Sequence, residues 1–389
     1  MAARKKKHSR KGDRKVRVDF RRNRHSRARQ QNLTHEMLDN EVLAEDATNV
    51  ERVTTRSELS RRRTVVGAES DGDQLIRSVD TEGCQRGRVR SFVGLNCVVH
   101  GEDQLDYECT IRGVLRTMAR EGRNAVVTGD HVLFRQQGDE YQGVIERVEP
   151  RHGVISRGSQ GKEHVIAANV DQVMIVASAD QPELKPQLVD RFLITAERFE
   201  IRPVICINKI DLVDAATLLP SIRTWGRIGY QVVLTSTVDG RGMDQLRSLL
   251  QDRDTAFSGQ SGVGKSSLLN AVDEGLNLKT AGVSDWSRKG THTTRRARLV
   301  PLGFGGNVVD TPGIRQFELW DVGIEEVDGF FNEFRPFIAW CRFPDCSHQH
   351  EKHCGVKTAV EDGRISEARY RSYLRLRNED VFQWSNPDN

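Results

Sequence analysis

The sequence predicts an α/β protein with a doubly wound sheet at its centre, a small β-barrel before it and an α-helical, metal-held domain after it. Three observations carry this. Short alternating runs between Gly and Asp turns fill about 86–156, Val/Ile runs alternate with helical stretches from about 163, and cysteines crowd beside histidines after 321. At 389 residues the chain also exceeds what one core usually organises.

The first 30 residues hold 14 Lys or Arg against Asp13 and Asp19, in a chain whose formal net charge is only +4. The rest is therefore acidic, and a basic arm on an acidic body predicts a polyanionic partner, nucleic acid first. No apolar stretch follows the arm, which argues against secretion, and no apolar run approaches a membrane span. Residues 31–85 are polar and charge-mixed. Together 1–85 are expected to form a largely disordered arm and linker, with at most one short helix near Glu36–Ala44.

From 86 to 156 the runs at Gly87–Gly94, Asp106–Arg112, Asp130–Phe134 and Gly143–Val148 predict four or five strands. That number and length suit an oligonucleotide-binding (OB) barrel. From 157 to 320 the strands Gln172–Ala177, Pro203–Ile207 and Gln231–Leu234 are almost uninterrupted Val and Ile, as a parallel sheet buried on both faces requires. Helices are predicted around Leu188–Phe199 and Leu218–Gly229.

Gly259-Gln260-Ser261-Gly262-Val263-Gly264-Lys265-Ser266 fits G-x-x-x-x-G-K-S between a strand and a helix. Its glycines let backbone N–H groups curl around phosphates at a helix N-terminus. Lys265 is expected to reach the β and γ phosphates, Ser266 to ligate Mg²⁺ and Ser267 to donate to the α phosphate. Asn208-Lys209-Ile210-Asp211 follows an apolar strand and supplies a base test. The Asp211 carboxylate can accept from N1–H and the 2-amine of guanine, with Asn208 at the N7/O6 side and Lys209 over the ring. Ser236 and Thr237, after the next strand, are placed to offer N–H to O6. Asp310-Thr311-Pro312-Gly313 ends a further strand, with Asp310 near Mg²⁺ and the Gly313 N–H at the γ phosphate. Between them, Lys289–Thr294 carries hydroxyls that can complete the Mg²⁺ shell, from Thr293 or Thr294. Here the base motif precedes the phosphate loop, the reverse of the ordinary order. The reading is a circularly permuted P-loop GTPase domain.

Seven scattered cysteines, three of them clustered, argue for a reducing compartment and a metal site. Cys341-x₄-Cys346-x-His348-x₅-Cys354 offers three thiolates and an imidazole, a closed set suited to one structural Zn²⁺, with His350 and His353 as competing ligands. Residues 321–389 are too few to hold a domain by core burial alone, and metal would supply the missing stabilisation.

The ordered set of base, phosphate and switch motifs with this cluster resembles the RsgA/YjeQ family of circularly permuted bacterial GTPases. The likeness runs from about Gly87 to the C-terminus and includes Val165–Val173 and Gly290–Thr294. The resemblance implies GTP hydrolysis to GDP and phosphate in late maturation of the small ribosomal subunit, by a cytoplasmic monomer that binds rRNA and is activated by and released from that subunit. It also picks His348 as the fourth zinc ligand. The family pattern puts a hydrophobic residue, here Ile314, where many GTPases carry a water-orienting glutamine, so His292 becomes the candidate for that task, while Lys265 on the phosphates and Thr293 on Mg²⁺ are the other catalytic candidates. A non-enzymatic RNA chaperone and a general translation factor are the competing classes. The intact Lys265, Ser266 and Asp310 set weighs against the first, and the lack of any tRNA-binding feature against the second.

Overall fold

The computed structural model describes residues 15–19, 62–66, 68–71, 74–77, 79, 81–93, 96–118, 124–138, 141–159, 162–276, 278, 297–310 and 325–378. Near the N-terminus β1 (Lys15–Asp19) pairs antiparallel with β2 (Arg62–Val66), and β3 (Ala68–Asp71) with β4 (Gln74–Arg77). The segment expected to be an irregular arm and linker thus contains paired strands. Val16 and Val18 alternate with charged residues and Thr64, Val65 and Val66 form a β-branched run, a content that favours extended chain. The helix expected near 36–44 lies outside the described residues.

Next come β5 (Gln85–Val93), β6 (Asn96–Gly101), β7 (Asp106–Ile111), α1 (Gly113–Met118), β8 (His131–Gln136) and β9 (Gln142–Val148), the strands closing into a barrel in the order β5-β6-β7-β9-β8. This is a five-stranded barrel of the predicted kind, filled by inward residues including Val89, Cys97, Val99, Tyr107, Cys109, Phe134 and Ile145. A Cβ at Gly87 would lie 2.8 Å from the Phe134 ring, so a bare backbone is what admits that ring to the centre. On the outer face of the barrel Asp106 holds His100 at 2.7 Å and pairs with Arg90 at 3.1 Å, and Glu108 accepts from Asn96 at 2.9 Å.

A β10 (Ile155–Ser159) and β11 (Lys162–Ala167) pair leads into the central sheet, whose strands are β12 (Gln172–Ser178), β13 (Arg202–Asn208), β14 (Gln231–Leu234), β15 (Asp254–Ser258), β16 (Arg298–Pro301) and β17 (Asn307–Asp310). Their spatial order is β14-β13-β12-β15-β17-β16, parallel except for the edge strand β16. Four helices cover it: α2 (Pro186–Arg198), α3 (Ala215–Ile228), α4 (Met243–Leu250) and α5 (Lys265–Val272). Alternate strand residues feed two cores. Val173, Ile175, Ile205 and Ile207 pack with α2 and α3, whereas Met174, Val176, Val204 and Cys206 pack with α4 and α5. Both faces are buried, which explains the unbroken apolar runs.

The barrel packs beside the edge strand β16 of this sheet, which β5 contacts. Thr128 Oγ1 donates to the Ala297 carbonyl at 2.7 Å, and Arg88 pairs with Asp254, which also accepts from Asn307 Nδ2 at 2.7 Å.

The C-terminal domain contains α6 (Arg335–Ile338), α7 (Gly355–Glu361) and α8 (Glu367–Asn378), gathered around Phe331, Phe334 and Tyr373. It shares α2 with the sheet domain: Ile194 joins its apolar cluster, and Asp190 accepts from Trp225 Nε1 at 2.9 Å and from Ser372 Oγ at 2.5 Å. Arg369 lies 2.7 Å from Asp190 and is also bound by Glu333, with only 1% of its side chain exposed. Arg369→Met strands two carboxylates in this junction, and we expect about 3–5 kcal/mol of lost stability in urea unfolding of the whole protein. A loss below about 1 kcal/mol would show that the junction is not what joins the two bodies. Among the described residues no helix is long and apolar enough to cross a membrane.

Candidate functional site

The phosphate loop leaves β15 at Ser258 and enters α5 at Lys265, in the crevice at the carboxyl ends of the parallel strands where open α/β sheets bind ligands. Gly259, Gly262 and Gly264 have φ of +139°, +82° and +95°. A Cβ at Gly259 would stand 2.1 Å from the Val176 carbonyl oxygen, and one at Gly264 2.5 Å from Asn208 Nδ2, so both positions require glycine. The N–H groups of Lys265, Ser266 and Ser267 open α5 and have no acceptor within the helix, a ready anion site. Lys265 Nζ donates to the carbonyls of Gly259 at 2.7 Å and Gln260 at 2.9 Å, which holds the ammonium across the loop. Gln260 and Ser261 are exposed at its rim, whereas Val263 is buried beneath it.

The base loops stand beside it. Asn208 ends β13, is 1% exposed, and donates from Nδ2 to the Val263 carbonyl at 2.9 Å while Oδ1 accepts from Thr235 Oγ1 at 3.2 Å. One buried amide therefore ties the phosphate loop to both base loops, a use that four residues of motif do not disclose. Lys209 is left-handed at φ 59° and donates from Nζ to the Gln181 carbonyl. Ile210 is buried, anchoring the short turn that presents Asp211. Asp211 Oδ1 accepts from Ser236 Oγ at 2.6 Å. Ser236 differs from its expected role. Its N–H is spent on the Arg241 carbonyl at 3.0 Å and its hydroxyl on Asp211, so it orients the carboxylate instead. The Thr237 N–H makes neither of these bonds.

Asp310 closes β17, opposite Arg298 of β16. Burial pushes its carboxyl up to about 7, against the pull of Arg298. An acid whose pKa is raised on folding favours the folded state when protonated, so this group's contribution is full below about 4 and is lost as pH rises to about 7. Asp310→Asn removes the titration. At pH 8 the nucleotide-free variant is expected to be more stable than the parent by about 2–4 kcal/mol, a gap that closes at pH 4. Urea titrations at the two pH values test this, and a gap of the same size at both would contradict it. Gly313, His292, Thr293 and Thr294 lie outside the described residues.

The second constellation is the metal centre. The ligand atoms of Cys341, Cys346, His348 and Cys354 all lie within 4.8 Å of one another. Cys341 Sγ is 3.8 Å from Cys354 Sγ, and His348 Nδ1 is 3.5 Å and 3.3 Å from those two sulfurs. These match the edges of a tetrahedron with metal–sulfur bonds of about 2.3 Å and metal–nitrogen bonds of about 2.0 Å. His348 Nε2 faces Asp328 Oδ2 at 3.2 Å, an outer contact that aims Nδ1 at the thiols. The competing His350 and His353 are exposed. Burial pushes the Cys346 thiol up to about 12 and raises Cys354, so these sulfurs become ligands only when a cation offsets that burial.

Strand order, phosphate loop and base loops define a circularly permuted P-loop GTPase: read from β15 the sheet is continuous, and the chain simply begins it at β12. A family model described as RsgA GTPase matches residues 148–320, starting at the end of the barrel. The small ribosomal subunit biogenesis GTPase RsgA of Chlorobaculum parvum is 41% identical over 301 residues, covering 75% of this chain and 96% of that one. Its Shewanella oneidensis counterpart is 38% identical over 301 residues, covering 75% and 82%. YjeQ from Thermotoga maritima superposes with a TM-score of 0.63 at 36% identity, over 76% of this chain and 97% of that one. YloQ, described as a circularly permuted GTPase, gives 0.60 at 28% identity over 78% and 97%. The chain belongs to the RsgA GTPase family.

Proposed function

We propose that this GTP hydrolase acts in late maturation of the small ribosomal subunit, docks on it in the GTP state and leaves after hydrolysis to GDP and phosphate. The observation that carries the catalytic part is the Asn208 bridge, which joins the base and phosphate loops into one site despite their reversed chain order. The names of the relatives support the choice of subunit. Gly259 to Ser267 cradle the phosphates, Asn208, Lys209, Asp211 and Thr237 take the guanine, and Lys265 neutralises charge on the β and γ phosphates. Ser266, Thr293 and Asp310 hold Mg²⁺, which when bound offsets the charge that builds on the phosphate oxygens. His292 orients the attacking water, and the Gly313 N–H meets the γ phosphate.

The Cys₃His set holds one structural zinc. Native mass spectrometry is expected to find one zinc per chain, and Cys346→Ser to lose both the metal and the fold of residues 325–378. A well-folded protein free of metal would contradict this. The protein works as a cytoplasmic monomer and touches rRNA with its barrel, its metal domain and the basic residues 1–30. The deciding experiment is GTP turnover of the full protein, and of a form lacking residues 1–85, with and without small subunits. Turnover unaffected by subunits in both forms would defeat the proposal.

A further inference from the structure

Trp340 is 65% exposed and Phe343 45% exposed, on either side of the metal ligand Cys341. Large aromatic side chains left in water need a reason, since burying them contributes more than burying almost any other group. Their backbone is rigidly placed. Phe337 meets Trp340 edge to face at 5.7 Å, and Gly355 lies so close that an added Cβ would be 2.8 Å from Trp340 Cβ. The Arg342 N–H donates to the His353 carbonyl at 3.2 Å, which brings Arg342 beside the exposed Lys352 and His353. Arg342 also lies over the Phe343 ring at 5.7 Å. Of the nearby carboxylates, Glu351 is held ionised by the N–H groups of Ser347, Gln349 and His350 and Asp345 is exposed, against the cations Arg342, Lys352 and Lys357, whose Nζ donates to the Gln349 and Glu351 carbonyls.

Two exposed rings on a metal-fixed loop, set among cations, have the composition of a single-stranded nucleic acid site, in which bases stack on aromatic faces and the backbone tracks positive charge. We propose that Trp340 and Phe343 form a stacking platform for unpaired nucleobases of RNA, with Arg342 and Lys352 on the flanking phosphates. This rests on the rRNA-binding reading above and gives it particular residues. An apolar protein partner is the alternative occupant, and the cations around the rings favour RNA over it.

The test measures binding of the full, metal-loaded protein to a short single-stranded oligoribonucleotide and, separately, to small subunits. Trp340→Ala is expected to weaken oligoribonucleotide binding about 5- to 100-fold, with one metal retained by native mass spectrometry. The dependence of affinity on salt should stay the same. Trp340→Phe should recover most of the loss, because a ring is restored. Arg342→Gln should instead lower the slope of log affinity against log salt by about 0.7, one phosphate's worth on a single strand. Wild-type protein with no affinity for the oligoribonucleotide overturns the platform, as does Trp340→Ala binding like the parent or Trp340→Phe failing as badly as Trp340→Ala. A loss confined to subunit binding also overturns it. Failure of the wild type to bind small subunits at all defeats the wider reading, whatever the oligoribonucleotide shows.

Discussion

Saturating small ribosomal subunits should raise the GTP turnover of this protein by roughly 10³- to 10⁵-fold, from an unaided rate on the order of 10⁻⁴ to 10⁻² s⁻¹. The low starting rate follows from composition: Ile314 stands where a water-orienting glutamine would act, so the nucleophile lacks a group of the usual kind. The large gain follows from what must be ordered. Phosphoryl transfer is almost wholly positioning and electrostatics, and the groups assigned to water and Mg²⁺, His292 and Thr293, belong to the stretch between α5 and β16. That stretch leaves through Ala297, which Thr128 of the barrel grips at 2.7 Å. The stretch after Asp310 re-enters at Glu325 and Glu326, the latter 4.0 Å from Arg198 of α2. A partner that touches barrel and metal domain together therefore has a physical route to both stretches. Steady-state phosphate release with purified subunits measures the effect. Pure protein already turning over at tens per second, or stimulation below about tenfold, would remove the partner from the catalytic account.

What could be read in advance divides by the range of the interactions. The sheet was legible because burial on both faces writes unbroken Val/Ile runs into β12 and β13, and the phosphate loop because its glycine spacing is dictated by backbone geometry within eight residues. The metal site was legible because thiolates and imidazole close together have few other uses, and the distances around His348 agree with the choice made on pattern. Strand β6 and helix α4 were not singled out. Asn96–Gly101 follows β5 after two residues and reads as its continuation, while α4 holds only eight residues and two buried leucines. Least legible were the polar bridges between distant residues. Asn208 and Val263 are 55 positions apart and Ser372 and Asp190 are 182 apart, and nothing local in either sequence marks its partner. Ser236 shows the cost of this: a backbone role was expected, but the folded loop uses its hydroxyl to aim Asp211.

That same hydroxyl makes the second large effect specific. Asp211→Asn is expected to cut kcat/KM for GTP by about 10³- to 10⁴-fold, because the carboxylate proposed to accept from N1–H and the 2-amine is replaced by a group that can accept only from one side. Ser236 donates to Oδ1 at 2.6 Å, so in the variant the amide oxygen takes that bond and the amide NH₂ turns toward the base. Guanine then faces donor against donor. Xanthine, which carries a carbonyl in place of the 2-amine, faces donor against acceptor, and turnover of xanthosine triphosphate should rise by about 10²-fold or more over the parent. Asn208 still ties the base loop to Val263 and the phosphate loop keeps its glycines, so the catalytic groups are unmoved and the loss should fall on KM more than on kcat. Removing Ser236 as well, in Asp211→Asn with Ser236→Ala, releases the amide to rotate and should erode the preference for xanthosine triphosphate. Competition assays with the two nucleotides measure the ratio directly. An Asp211→Asn protein that keeps its preference for GTP would mean that the base is read by some other group, and the assignment of this loop would fall with it.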